Sequence, residues 1–226
     1  MSFDYMAFAI YMKMIANAES QDVPVITESL SPNQISSKQW MIDEMYNIFE
    51  RKRKMFDSED CVFAEAEIIG SWFGWPLIDM FEKHKRVHIN KYTMWDIDKE
   101  ARVRCNKYAQ LFGMVNRTSV IGKDYWEHNR KGSEADLIIN TSSEHMNHTF
   151  EWMDRYKKPF YVNNPLVVIQ CNNMYHIDEH VACVRDLAQL VNRHDLSELY
   201  FSGSQPIVDL SNPSSEYRRF MIIGRL

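Results

Sequence analysis

The chain has 226 residues, enough for one ordinary domain with an appended terminus, and its 45% hydrophobic, 25% charged composition is that of a globular protein. A net charge of −5, with acidic and basic residues mixed along the chain, argues against a general basic field for nucleic acid and leaves room only for a local patch. No stretch approaches the roughly 20 apolar residues that a bilayer requires, so no membrane partner is expected.

The opening stretch, "MSFDYMAFAIYMKMIANAES", is interrupted by Asp4 and Lys13 and has no basic leader. It reads as an amphipathic helix and not as a signal peptide. "SQDVPVITESLSPNQ" (20–34) is polar, carries two prolines and has no helical period, which predicts a linker. "ISSKQWMIDEMYNIFERKRKMF" then sets Trp40, Ile42, Met45, Ile48 and Phe49 at helical intervals. Residues 1–57 are therefore expected to form a helical extension, covering the carboxyl edge or flank of a domain built from 58–226. Trp40, Met41 and Met45 need such a surface to bury.

From Cys61 onward short apolar runs alternate with amphipathic segments. "FAEAEIIG" precedes the helix-like "GWPLIDMFEKHK", where Pro76 falls in the first turn. "VHINKYTMWDID" precedes "KEARVRCNKYAQLFG", with Asp98 as N-cap and Gly113 as stop. "TSVIGKD" leads to a polar stretch, "ADLIINTS" to "EHMNHTFEWMDRY", and "PLVVIQCNN" to the helix-like "DEHVACVRDLAQLVNRH". "ELYFSGSQPI" and "YRRFMIIGRL" are joined only by a turn-rich segment. The alternation predicts an α/β fold, Rossmann-like, with a mostly parallel sheet and an antiparallel last strand.

Cysteines 61, 105, 171 and 183 are scattered without a CxxC pair, which fits a reducing cytoplasm and core thiols better than zinc or disulfides. "HIDEH" would set His176 and His180 on one helical face, but a metal needs a third ligand; no metal is expected.

Ligands of open α/β sheets bind beyond the carboxyl ends of the strands. Here those ends read "GSWFG", "WDID", "GKDYW", "NTSSEH" and "QCNN", all polar or glycine-rich. Two glycines at the first turn, Gly70 and Gly74, suggest close approach to the backbone. Asp96 follows Gly74 by 22 residues, near the interval at which an acid reaches ribose hydroxyls. Asp124 is placed to accept from an adenine amine.

Together the glycine turn, the strand-two acid, "GKD", a polar fourth strand end and the terminal hairpin resemble the class I S-adenosylmethionine-dependent methyltransferase family over about residues 61–226. "GSWFG", "WDID", "INTSSEHM" and "YRRFMIIG" look similar to small bacteriophage-encoded methyltransferase-like proteins, which would place the chain in a host cytoplasm. The resemblance implies S-adenosylmethionine as cofactor, with Gly70, Ser71, Trp72 and Gly74 at its amino-acid and ribose end. It implies Asp96 on the ribose, and Ile97, Asp124 and Asn140 as further contacts. The turn departs from the family's GxGxG, since this chain has no middle glycine. Trp72 or Phe73 could attract a sulfonium through its ring face. On the substrate side stand Asn140, Glu144 and His145 as catalytic candidates, His145 as general base, with Asn172 and Asn173 orienting the acceptor. Neither the [DNS]PP[YFW] sequence of amino-methylating DNA enzymes nor a Pro-Cys pair is present, so the acceptor stays open among small molecule, nucleic acid and protein. Two other classes stay open: a nicotinamide-dependent oxidoreductase, which would want a tighter GxGxxG turn, and an inactive protein that binds an adenosine ligand.

Overall fold

The structure is a computed structural model and describes residues 12–53, 60–125, 133–146, 163–194, 196–208 and 214–226. Seven strands form one sheet: β1 (Cys61–Ile69), β2 (Val87–Trp95), β3 (Thr118–Ile121), β4 (Leu137–Asn140), β5 (Leu166–Asn172), β6 (Glu198–Pro206) and β7 (Arg218–Arg225). Their order across the sheet is β3-β2-β1-β4-β5-β7-β6. The first five run parallel, while β7 runs antiparallel to both β5 and β6, as the turn-rich connection requires.

The register aligns the carboxyl ends. Ile69 pairs with Trp95 and with Asn140, and Trp95 pairs with Ile121, so four strands stop at one edge. The order reverses at β1, which lies between β2 and β4, and the crevice outside that switch is where this architecture takes ligands.

Alternate residues of the central strands enter two separate cores. Leu137, Ile139, Val168, Met221 and Ile223 belong to one cluster; Ile138, Val167, Ile169, Phe220 and Ile222 belong to the other. A sheet buried on both faces explains the near-continuous apolar runs of these strands. The four cysteines are all buried and free, and burial pushes the thiols of Cys61, Cys105 and Cys171 up to about 12.

The segment 20–34 is not a linker. It contains α1 (Val23–Ser29) and the start of α2 (Pro32–Lys52). Each of its prolines sits in a first helical turn, where the missing N–H removes no helical bond. Ser31 caps α2, its hydroxyl accepting from the Gln34 amide. Met41, Ile42, Met45 and Ile48 of α2 join the same core as Ile68, Ile89 and Leu137 of the sheet, together with Met14 and Ile26. Trp40 is partly buried, edge-on to Phe201 at 5.8 Å. Side-chain links also fasten this helical segment. Ser37 Oγ donates to Gln170 Oε1 at 2.8 Å while Gln170 Nε2 donates to the Ser37 carbonyl at 3.1 Å, both buried. Asp22 accepts from Arg104 at 2.8 Å and Lys107 at 3.4 Å.

Helices α3 (Leu77–Lys83) and α4 (Lys99–Leu111) follow β1 and β2. Asp98 caps α4 as expected, accepting from the Glu100 amide at 2.9 Å. The helix expected over 178–194 is shorter: α5 is Leu187–His194. Upstream, the Ala182 amide is taken by the Glu144 carbonyl and the Val184 amide by the Asn172 carbonyl, which holds the chain against the sheet edge. The helix can begin only at Asp186, whose carboxylate accepts from the Gln189 amide while Gln189 Oε1 accepts from the Arg185 amide. The helix expected after Glu144 lies mostly outside the described residues.

Candidate functional site

The turn after β1 carries three residues at positive φ: Gly70 at 59°, Trp72 at 51° and Gly74 at 81°. The two glycines serve different purposes. A Cβ on Gly70 would lie 2.2 Å from Met146 Cε, on the cavity side; one on Gly74 would lie 2.6 Å from Met94 Cε and 3.1 Å from Ile78 Cδ1, in the core. Gly70 keeps the crevice open, and Gly74 lets the turn settle on the sheet.

Trp72 holds its left-handed backbone through Asp96. Asp96 Oδ2 accepts from the Trp72 amide at 2.7 Å and Oδ1 from the Asp98 amide at 2.9 Å. Burial raises the Asp96 pKa, and these two amides oppose the rise. Each carboxylate oxygen keeps a second lone pair. Arg102, one turn into α4, donates to the carbonyls of Asp96 and Ile97 at 3.0 and 2.7 Å and so fixes the backbone behind them.

A cavity of about 780 Å³ opens at this edge. Gly70, Ser71, Trp72, Gly74, Asp96, Ile97, Asp124 and His145 line it, all expected at the site. Ile97 is 71% exposed, an apolar side chain beside Asp96. The aromatics divide: Trp72 and Trp75 line the cavity, Trp75 also stacking on Phe112, whereas Phe73 is fully buried against Tyr108. Phe73 therefore cannot meet a ligand there.

Asn140 and Glu144 are not on the cavity wall. Asn140 is buried, its Oδ1 accepting from the Ser142 amide and its Nδ2 contacting Met146 Sδ; it shapes the turn after β4. Glu144 is buried with Oε1 accepting from Asn172 Nδ2 at 2.7 Å and facing Arg219 Nη1 at 3.7 Å. Asn172 and Asn173 also accept from backbone amides, of Met174 and Arg218. These side chains build the edge.

His145 is exposed, with Nδ1 3.0 Å from the Glu179 carbonyl. A carbonyl only accepts, so Nδ1 carries the proton and Nε2 the lone pair of the neutral ring. Its ring meets that of His180 edge-on at 4.6 Å. One donor atom from each of Glu144, His145 and His180 lies within 4.8 Å of the other two. His176, the other histidine of "HIDEH", points elsewhere and stacks on Tyr217. Burial lowers the His180 pKa, against the opposing charge of Glu144.

The structure adds residues with no sequence signal, Lys38 among them. Lys38 of α2 lines the cavity, its ammonium donating to Gln34 Oε1. Burial, assisted by the charge of Arg219, lowers its pKa to about 7. Only the docking of α2 through Ser37 and Gln170 brings it there.

No family model and no curated protein matches the chain. Among the described residues no helix is long and apolar enough to cross a membrane. Solved structures do match. The N-methyltransferase NodS from Bradyrhizobium japonicum WM9, in complex with S-adenosyl-L-homocysteine, superimposes with a TM-score of 0.62 at 9% identity, covering 97% of this chain and 97% of its own. A sarcosine dimethylglycine methyltransferase structure from Galdieria sulphuraria gives 0.61 at 11% identity, over 88% of this chain and 87% of its own. The cyclase SpnF gives 0.56 at 10% identity, over 74% and 75%. None of these supports the narrower bacteriophage resemblance. At such identities the likeness concerns architecture, and the architecture is the Rossmann-like fold of class I S-adenosylmethionine-dependent methyltransferases.

Proposed function

We propose that the protein is an S-adenosylmethionine-dependent methyltransferase acting on a nitrogen or oxygen nucleophile. The observation that carries this reading is the corner where Asp96 meets the Gly70 turn. The carboxylate keeps lone pairs for a vicinal diol, and a side chain at position 70 would fill the space beside it. The cavity's charge favours the same ligand over a dinucleotide. Glu28, Asp96, Asp98, Asp124 and Glu179 line it against Lys38 and Lys123, a balance that suits a sulfonium and opposes a pyrophosphate.

Asp96 would hold the ribose hydroxyls, Ile97 would lie against the adenine, and Trp72 would present its ring to the methionine end. When bound, the cofactor supplies an electrophilic methyl group, whose transfer to the acceptor's lone pair leaves S-adenosylhomocysteine and releases the acceptor's proton. Lys38, with its pKa near neutrality, is the residue placed to take that proton.

Titration calorimetry with S-adenosylmethionine, S-adenosylhomocysteine and NAD tests the reading. Binding of the first two without NAD is expected. Preference for NAD, or no binding of any adenosine ligand, would overturn it.

A further inference from the structure

We propose that Glu144, His145 and His180 form a binding site for a divalent transition metal at the acceptor end of the cavity. The three side chains come from two separate segments. Glu144 and His145 lie on the short turn after β4, which Ser143 Oγ anchors to the Gln170 carbonyl at 2.7 Å. His180 arrives from the loop after β5, and the Ala182 amide, donating to the Glu144 carbonyl at 2.8 Å, ties that loop to the turn. The fold therefore holds the three donors together without any ion.

Unmet bonding capacity points to a ligand. Glu144 is 3% exposed, and among the described residues its Oε2 has no hydrogen-bond partner although Oε1 is engaged by Asn172 and Arg219. His180 Nδ1 is likewise buried and without a partner. Buried polar atoms are normally satisfied, because an unmet one keeps its full desolvation cost. Two such atoms occur among three neighbouring side chains, and the third, His145, holds its own lone pair on Nε2 because the Glu179 carbonyl takes Nδ1–H. All three are lone-pair donors; a cation satisfies them together. A carbonyl on the far nitrogen of a ligating histidine is also the arrangement that orients such ligands.

Two imidazoles and one carboxylate select a divalent transition metal, Zn2+ foremost and the harder Mn2+ less strongly, over Ca2+ or Mg2+, which prefer all-oxygen sets. Donor atoms around a tetrahedral zinc stand about 3.4 Å apart, given bonds of roughly 2.1 Å. The three donors already lie within 4.8 Å of one another, and His145, the exposed member, is the one least held by packing. Three protein ligands leave a position open, and His145 lines the cavity, so that position faces the acceptor. The acceptor class this implies carries a hydroxyl or carboxylate oxygen able to ligate the metal. That last step rests on the methyl-transfer function proposed above, whereas the site itself does not.

The test uses the full chain, dialysed against chelator, titrated with ZnCl2 and with MnCl2, and separately with S-adenosylhomocysteine. One equivalent of Zn2+ or Mn2+ is expected to bind. His145→Ala and His180→Gln should each weaken it roughly 10- to 100-fold, with circular dichroism unchanged. Glu144→Gln is a poorer probe because Glu144 is packed against Arg219; the histidine variants carry the test if it fails to fold. Absence of binding by either metal, or binding unaltered in both histidine variants, overturns the site. Metal binding without S-adenosylhomocysteine binding keeps the site and removes the methyltransferase reading. S-adenosylhomocysteine binding without metal binding does the reverse.

Discussion

Asp96 receives the backbone amide of Trp72 at 2.7 Å, so the carboxylate at the end of β2 supports the left-handed backbone of the turn after β1. One side chain thus shapes that turn and lines the cavity beside it.

Replacing Asp96 should therefore be felt twice. Asp96→Ala removes two charge-assisted hydrogen bonds to a ribose, about 2–3 kcal/mol net, and S-adenosylhomocysteine affinity should fall roughly 30- to 150-fold by calorimetry. It also strands the Trp72 and Asp98 amides, and thermal unfolding should show a loss of about 1–3 kcal/mol. A strand-end acid need not have had this second effect; the structure supplies it. Asp98→Ala should lose only the α4 cap, about 1 kcal/mol, with affinity kept. Loss of binding in Asp98→Ala alone would exchange the two roles.

The two glycines of the turn should separate in the same way. Gly70→Ala places a methyl against Met146 at the cavity wall, and at φ 59° it also strains the backbone by about 1–2 kcal/mol. Affinity for S-adenosylhomocysteine should drop about tenfold or more. Gly74→Ala drives its methyl into Met94 and Ile78, so melting temperature should fall while the surviving folded protein binds normally. Equal effects on binding would show that the turn moves as a unit.

Lys38 carries the pH dependence. Its folded pKa is depressed to about 7, so the neutral base forms as pH rises through 7, and methyl transfer should climb and then level above it. Linkage has a matching sign: the unfolded chain binds the extra proton between about 7 and the ordinary lysine value, so this residue's contribution to stability rises with pH across that window. Lys38→Met should flatten the rising limb of the rate profile while leaving S-adenosylhomocysteine affinity within about twofold. A rising limb retained in Lys38→Met would return the proton to His145.

Asp22 reports on the helical segment. Its burial raises the carboxyl pKa, but hydrogen bonds and charge from Arg104 and Lys107 outweigh this and leave it below the usual value. The stabilisation is then present above the unfolded pKa and is lost as pH falls through the lower, folded one. Asp22→Asn should cost roughly 1–3 kcal/mol at pH 7. The difference from the parent chain should shrink in acid; a difference constant with pH would mean that the ion pairs are immaterial.

Much of the architecture is a local property of this chain. The strands of a doubly covered sheet must be buried on both faces, which holds for 166–172 along its whole length and for 61–69 and 87–95 in their carboxyl-terminal halves. The Asp98 cap and the positions of Gly70 and Asp96 rested on interval and neighbour identity, which the parallel register of β1 and β2 then turned into contact. Where local signals were present but misweighed, capping chemistry decided: "SPNQ" and "DLAQ" each start a helix, and the prolines at 24 and 32 open helices where a linker was expected.

What no stretch of sequence could show is which side chains meet from distant segments. Lys38 is one lysine of an amphipathic helix, and it enters the cavity because Ser37 pairs with Gln170, 133 residues away. His180 was expected beside His176 on a helix, yet the sheet edge captures the amides of Ala182 and Val184 and turns it toward His145. Asn140 and Glu144 read as site residues because they follow a strand end, and tertiary packing drew both inward. Hydrophobic period and caps act over a few residues, so the sequence determined the elements and their alternation. Burial and docking act between segments far apart in the chain, so only the tertiary structure decided which polar groups face the crevice.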